Sequence, residues 1–145
     1  MPPAVKEEVG TVRRCIEGRS VRWNAQFAES AVRSGHWSGQ TAGDALRAMA
    51  GVEPDRILIV DRDLRLSANE LLQRAERLAA VMAHTAPRGS VVSFMLPNWH
   101  EAAIIYFAAT FAGMVAHPLL PSLREHDLAF MLADADSRFI FVPAR

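Results

Sequence analysis

Four short apolar runs, Ile57-Leu-Ile-Val60, Val91-Val-Ser-Phe-Met-Leu96, Met114-Val-Ala-His117 and Phe139-Ile-Phe-Val142, are separated by segments of helical character, and this alternation limits the fold more than any other feature. Helices of about 11 to 17 residues are long enough to return the chain to the start of the next strand, so parallel strands under a layer of helices are expected. The predicted class is α/β, with a mostly parallel sheet and crossover helices.

Local signals place the elements. Pro54-Asp55 is a turn before the first run, and Asp61-Arg-Asp63 reverses the chain into Leu64-Arg-Leu66, which predicts a hairpin. Ser67-Ala-Asn-Glu70 sets a hydroxyl three residues ahead of a carboxylate, the spacing at which each side chain satisfies the other's backbone amide at a helix start. Leu71, Ala75, Leu78 and Met82 then share one helical face until Pro87 and Gly89 close the element near His84. Asn98 with Glu101, and Ser122 with Glu125, repeat the capping pattern for two further helices, the second running to about Ala133. Ala102 to Ala112 is apolar on every side, which a helix tolerates when covered nearly all round, and Gly113 suits its end. Upstream, short helices are expected from Asn24 to Val32 and from Gly43 or Asp44 to Ala50. Thr41 or Asp44 would cap the second, with Gly51 at its C-terminal cap. Residues 1–22 hold Pro2, Pro3, Gly10 and Gly18 with scattered charge and no sustained apolar period, so they read as a loosely ordered leader, with an α/β region over 23–145.

Composition excludes several classes. Sixteen basic and 16 acidic residues among 145 leave no net charge and no basic stripe, so nucleic acid is not an expected partner. Cys15 is the sole cysteine, which rules out a disulfide within one chain and favours a reducing cytoplasm. The apolar stretch from Ala102 to Gly113 falls well short of the roughly 20 residues of a membrane-spanning helix. Fifteen of the basic residues are arginine and Lys6 is the only lysine, so chemistry that needs an amine to shed a proton has one candidate, in the leader.

Few residues suggest a site. The spacing Gly35-x-x-x-Gly39-x-x-x-Gly43 lacks the lysine and hydroxyl of a phosphate loop and reads as turns. His36, His84, His100, His117 and His126 are dispersed, with no i, i+4 pair, so no metal site is expected. His100 follows the run Val91 to Leu96 at a strand's carboxyl end, where ligands of open α/β sheets bind. Trp99 beside it could wall an apolar acyl or ring pocket, although an aromatic in the first turn of a buried helix more often serves the core. Glu7/Glu8, Asp61/Asp63 and Glu125/Asp127 fall in the leader, a reversal and a helix's first turn, so no catalytic acid/base pair is assigned.

The run Arg88-Gly-Ser-Val-Val-Ser-Phe-Met-Leu-Pro-Asn-Trp-His-Glu-Ala102, followed by Gly113-Met-Val-Ala-His-Pro118 and the stretch to Phe130, resembles the opening segment of AMP-forming acid:CoA ligases. Gly35-His-Trp37, Pro54 to Asp61 and Leu66 to Leu71 extend the similarity over about Ala25 to Pro143. The stretch Pro118 to Phe130 is most like the cyclohexanecarboxylate:CoA ligase branch, with His117 where that branch usually has asparagine. The resemblance implies the N-terminal part of an adenylate-forming ligase large domain, from an enzyme that joins a carboxylic acid to AMP using ATP and magnesium and passes the acyl group to CoA. The family's Ser/Thr/Gly-rich loop ending in Pro-Lys-Gly, its later acidic and arginine positions and its C-terminal lysine have no match here. It therefore implies a scaffold segment that binds none of ATP, magnesium or CoA by itself and is inactive alone. Trp99 and His100 become candidates for the acyl-pocket wall. Arg124 lies in a region near which some relatives contact CoA phosphate, although an arginine in a cap turn more often makes helix-surface pairs. A carboxylic acid is then the partner only of the complete enzyme, and a separate C-terminal ligase chain is a second expected partner. The competing expectation is an interaction module or decayed remnant, self-associating through an unpaired apolar sheet edge.

Overall fold

A computed structural model describes residues 11–16 and 18–144. The chain divides into two compact units, Met1–Gln40 and Thr41–Arg145.

In the first unit, β1 (Thr11–Ile16) and β2 (Arg19–Asn24) form an antiparallel hairpin, followed by α1 (Ala25–Arg33). Asn24 starts the helix by accepting from the Phe27 amide at 3.0 Å. The hairpin corrects the expected leader over the described part of 1–22; residues 1–10 and 17 lie outside the described residues. In β2, Val21 and Trp23 alternate with Arg22, whereas β1 sets Arg13 and Arg14 side by side. Neither pattern shows anything to a search for a helical stripe. Val12 faces Trp23 across the ladder, and the Arg14 guanidinium lies 5.2 Å from the Trp23 ring centre.

The second unit holds α2 (Ala42–Val52), the hairpin β3 (Ile57–Asp61) and β4 (Leu64–Ser67), α3 (Ala68–Thr85), β5 (Val91–Phe94), α4 (His100–Phe111), β6 (Val115–Pro118), α5 (Glu125–Asp134) and β7 (Ser137–Phe141). The strands β6, β5 and β7 form a parallel sheet in that order, as the alternation predicts, but the Ile57 run does not join it: among the described residues β3 pairs with β4 alone, and antiparallel. Ser67 and Glu70 close the expected capping box on α3, and Thr41 with Asp44 does the same for α2. Gly51 is a correction: it lies within α2, whose cap position falls to Glu53.

The core sits between one face of the parallel sheet and the helix pair α3/α4. Val92 and Phe94 of β5 meet Ala79 and Met82 of α3 and Ile105, Ala108, Ala109 and Ala112 of α4. Alanines on both helices let their backbones approach. A similar closeness holds α2 to α4, because a Cβ on Gly43 would lie 2.6 Å from Phe111 Cε1. Gly113, at φ +67, ends α4 with its own amide bonded to Thr110 and that of Met114 to Ala109, the paired bonds of a left-handed helix stop.

Two helix starts differ from expectation. Asn98 does not cap α4; Pro97 to Trp99 forms a tight turn, and the helix begins one residue later with Trp99 in the cap position and no side-chain bond of its own. Ser122 does not cap α5, because Leu123 bonds back to Leu120 and the turn carries the chain on to Arg124 before the helix starts. α4 has Ile105, Ala108 and Ala109 buried but leaves Tyr106 44% exposed, so the described residues cover it on fewer sides than its composition predicts.

Candidate functional site

The bare N-terminus of α4 is closed from a distant element. Asp61, the last residue of β3, accepts the His100 amide on Oδ2 at 3.0 Å, and the same oxygen lies 2.8 Å from His100 Nδ1. Glu101 Oε2 approaches the same nitrogen at 3.1 Å. Arg62, at φ +53, makes the left-handed step that turns β3 away immediately after the carboxylate. The hydrogen bond from His100's ring, reinforced by its backbone amide, holds the Asp61 carboxyl below the usual aspartate range, partly offset by desolvation. The anion also faces the positive end of the helix dipole.

Two clefts meet at this helix end. One, of about 260 Å³, is polar and lined by Asp61, Arg62, Leu64, Trp99, His100 and Glu101. The other, of about 330 Å³, is mainly apolar, with Leu78, Leu96, Trp99, Ile104, Ile105 and Phe141 among its lining residues and Glu101 as the ionisable side chain among the described residues that line it. Trp99 and Glu101 belong to both and form the partition between them. The structure thus sets Trp99 against an apolar cleft at the carboxyl end of the sheet. His100 lines only the polar cleft, where it is engaged by carboxylates. Arg124 is exposed at the cap of α5 and lines neither cleft.

Ligand atoms of Asp61, His100 and Glu101 lie within 4.8 Å of one another. Their contacts are accounted for as a helix cap and a carboxylate–imidazole hydrogen bond, with Asp61 Oδ2 already shared by the His100 amide and ring Nδ1, and they carry no metal assignment. Asp61 is the site residue that sequence reasoning missed. It is 39 positions from His100, and no local spacing connects them.

A second polar cluster crosses the parallel sheet. Ser93 Oγ on β5 lies 2.9 Å from His117 Nδ1 on β6 and 2.7 Å from Ser137 Oγ on β7. Ser93 is fully buried, so this Ser–His contact ties strands together and offers no nucleophile to solvent.

Residues 46–145 match the family described as AMP-binding enzyme. The chain belongs to that family. It is 34% identical over 117 residues to the pyochelin synthase PchD of Pseudomonas aeruginosa (strain UCBPP-PA14), covering 80% of this chain and 21% of the relative. It is 29% identical over 126 residues to the medium-chain fatty-acid–CoA ligase of Escherichia coli (strain K12), covering 86% and 22%. Unliganded O-succinylbenzoate coenzyme A synthetase of Bacillus subtilis superposes with a TM-score of 0.64 at 27% identity, over 68% of this chain and 22% of that one. This AMP-binding-family chain therefore spans about a fifth of the length of the curated relatives it matches. Its sheet and crossover helices are the ligase-type α/β fold expected of it. Among the described residues, no helix is long and apolar enough to cross a membrane.

Proposed function

We propose that this chain is the N-terminal segment of an ATP-dependent, AMP-forming acid:CoA ligase. It would supply substrate-domain scaffold and one wall of an acyl pocket, with no catalysis by itself. The observation that carries this reading is the family match over 46–145 in a chain about a fifth as long as its relatives. In that reading residues 23–145 are an incomplete N-terminal α/β subdomain, and the cleft beside Trp99 takes the apolar part of the acid. Glu101 on its rim would repel a carboxylate, so the acid group points away from it. His100 contributes by holding the helix end on which Trp99 is mounted. Arg124, exposed at the start of α5, would be a cationic position offered to a CoA phosphate.

ATP, magnesium and CoA belong to the complete enzyme. The residues present do not fit a magnesium triphosphate: the described part contains no lysine, the Gly35-to-Gly43 segment is not a strand-to-helix phosphate loop, and Asp61 and Glu101 are occupied by His100. A sole cysteine, Cys15, supports a reducing cytoplasm as its compartment. The test is pyrophosphate release from ATP with a panel of aryl, cyclic and straight-chain acids. The isolated chain is expected to match the protein-free blank, and turnover above it would overturn the reading.

A further inference from the structure

The first unit holds an aromatic cleft of about 410 Å³, lined by Trp23 of β2, by Ala28, Glu29, Val32 and Arg33 of α1, and by Trp37 beyond the helix. Its two indole rings lie 6.4 Å apart at a tilt of 50°, and Phe27 stands edge-on to Trp37 at 5.8 Å. Phe27, Val32 and Trp37 are 63%, 59% and 45% exposed, a concentration of apolar surface that marks a place of contact. Glu29 and Arg33, exposed and one helical turn apart, add a charge of each sign to the lining.

The hairpin register determines what lies nearest. Val12 faces Trp23 and Thr11 faces Asn24, so the chain that precedes β1 joins the sheet at the end where α1 begins, beside one wall of the cleft. That preceding chain reads Met1-Pro-Pro-Ala-Val5, an apolar run with two prolines, followed by Lys6, Glu7, Glu8, Val9 and Gly10. From Val5 to Thr11 is six residue steps, a reach of roughly 20 Å, whereas the nine residues of α1 span roughly 14 Å. The run therefore has the length to reach any part of the cleft's helical wall. Proline rings pack flat against aromatic side chains, and their fixed φ leaves less backbone freedom to lose on docking.

We propose that Pro2-Pro-Ala-Val5 seats in the Trp23/Trp37 cleft, its proline rings against the indoles, as a strap that the chain closes on itself. Lys6 and the Glu7-Glu8 pair then offer opposite charges to Glu29 and Arg33. The tether holds the run at an effective concentration on the order of millimolar, which favours it over a separate proline-rich peptide or the same run from a second copy.

Nuclear magnetic resonance on the full 145-residue chain tests the strap. Cross-relaxation is expected between the ring protons of Pro2 and Pro3 and the indole protons of Trp23 and Trp37, and none to Trp99. Pro2→Gly combined with Pro3→Gly should abolish those cross-peaks and displace the Trp23 and Trp37 indole signals while that of Trp99 stays in place. Deleting residues 2–5 should displace the same two signals. A sample mixed from two differently labelled batches of the chain should show the cross-peaks within each copy only. Absence of the cross-peaks, indole signals indifferent to the double substitution and to the deletion, or cross-peaks that run between copies would each overturn the proposal.

Discussion

α4 and α5 are alike in sequence and opposite in circumstance. Both are rich in apolar residues on every side, and both begin without a capping side chain of their own. α4 is packed against α3, α2 and β6, and its first amide is closed by Asp61; α5 touches β7 and has no buried residue. Composition therefore states what a helix requires, whereas neighbours decide what it receives. The same contrast separates Ala108, fully buried, from Phe130, largely exposed.

Substitutions at these helices should scale with that difference. Ala108→Asp places a carboxylate without a partner in the core and should leave the second unit unfolded by circular dichroism, a loss of about 3 kcal/mol or more. Ile105→Ala removes a buried side chain between α4 and the sheet and should cost about 2–5 kcal/mol in urea unfolding. Gly43→Ala forces Phe111 aside and should cost about 1–3 kcal/mol by the same measurement, a smaller value meaning that the ring simply rotates away. Phe130→Asp should change stability by no more than about 0.5 kcal/mol. A large loss there would mean that α5 is already enclosed and would erase the contrast.

Asp61 sharpens the comparison through pH. Its folded pKa is depressed below its ordinary value of 3.8, so its contribution is complete above that value and lost as pH falls through the lower folded one. Asp61→Asn should flatten this part of the acid limb when melting temperature is followed from pH 7 to pH 2, while leaving the neutral-pH fold unchanged. An unaltered acid limb would show that the carboxylate does not hold the α4 terminus.

What could be read from the chain follows from how far apart the cooperating residues are. Ser67 and Glu70 are three positions apart and their reciprocal bonds were legible, as was the parallel order of strands separated by crossover helices. Asn98 and Ser122 carried the same local pattern and failed, because turns at Pro97 and Leu120 moved each helix start beyond them. The cap that α4 does receive comes from Asp61, and no sequence period encodes a contact across 39 residues. At the candidate site, Trp99 lines an apolar cleft whereas His100 lines the neighbouring polar one, a placement fixed by two carboxylates that only the fold brings together. The hairpin over 11–24 was missed because its few apolar residues, among them Val12, Val21 and Trp23, are interspersed with arginines at no helical period.

On the proposed function, this polypeptide would be ligase scaffold without the groups that hold a nucleotide. Titrating the isolated chain with magnesium-ATP in a calorimeter tests it directly: no saturable heat at millimolar nucleotide is predicted, and a one-to-one isotherm would contradict it.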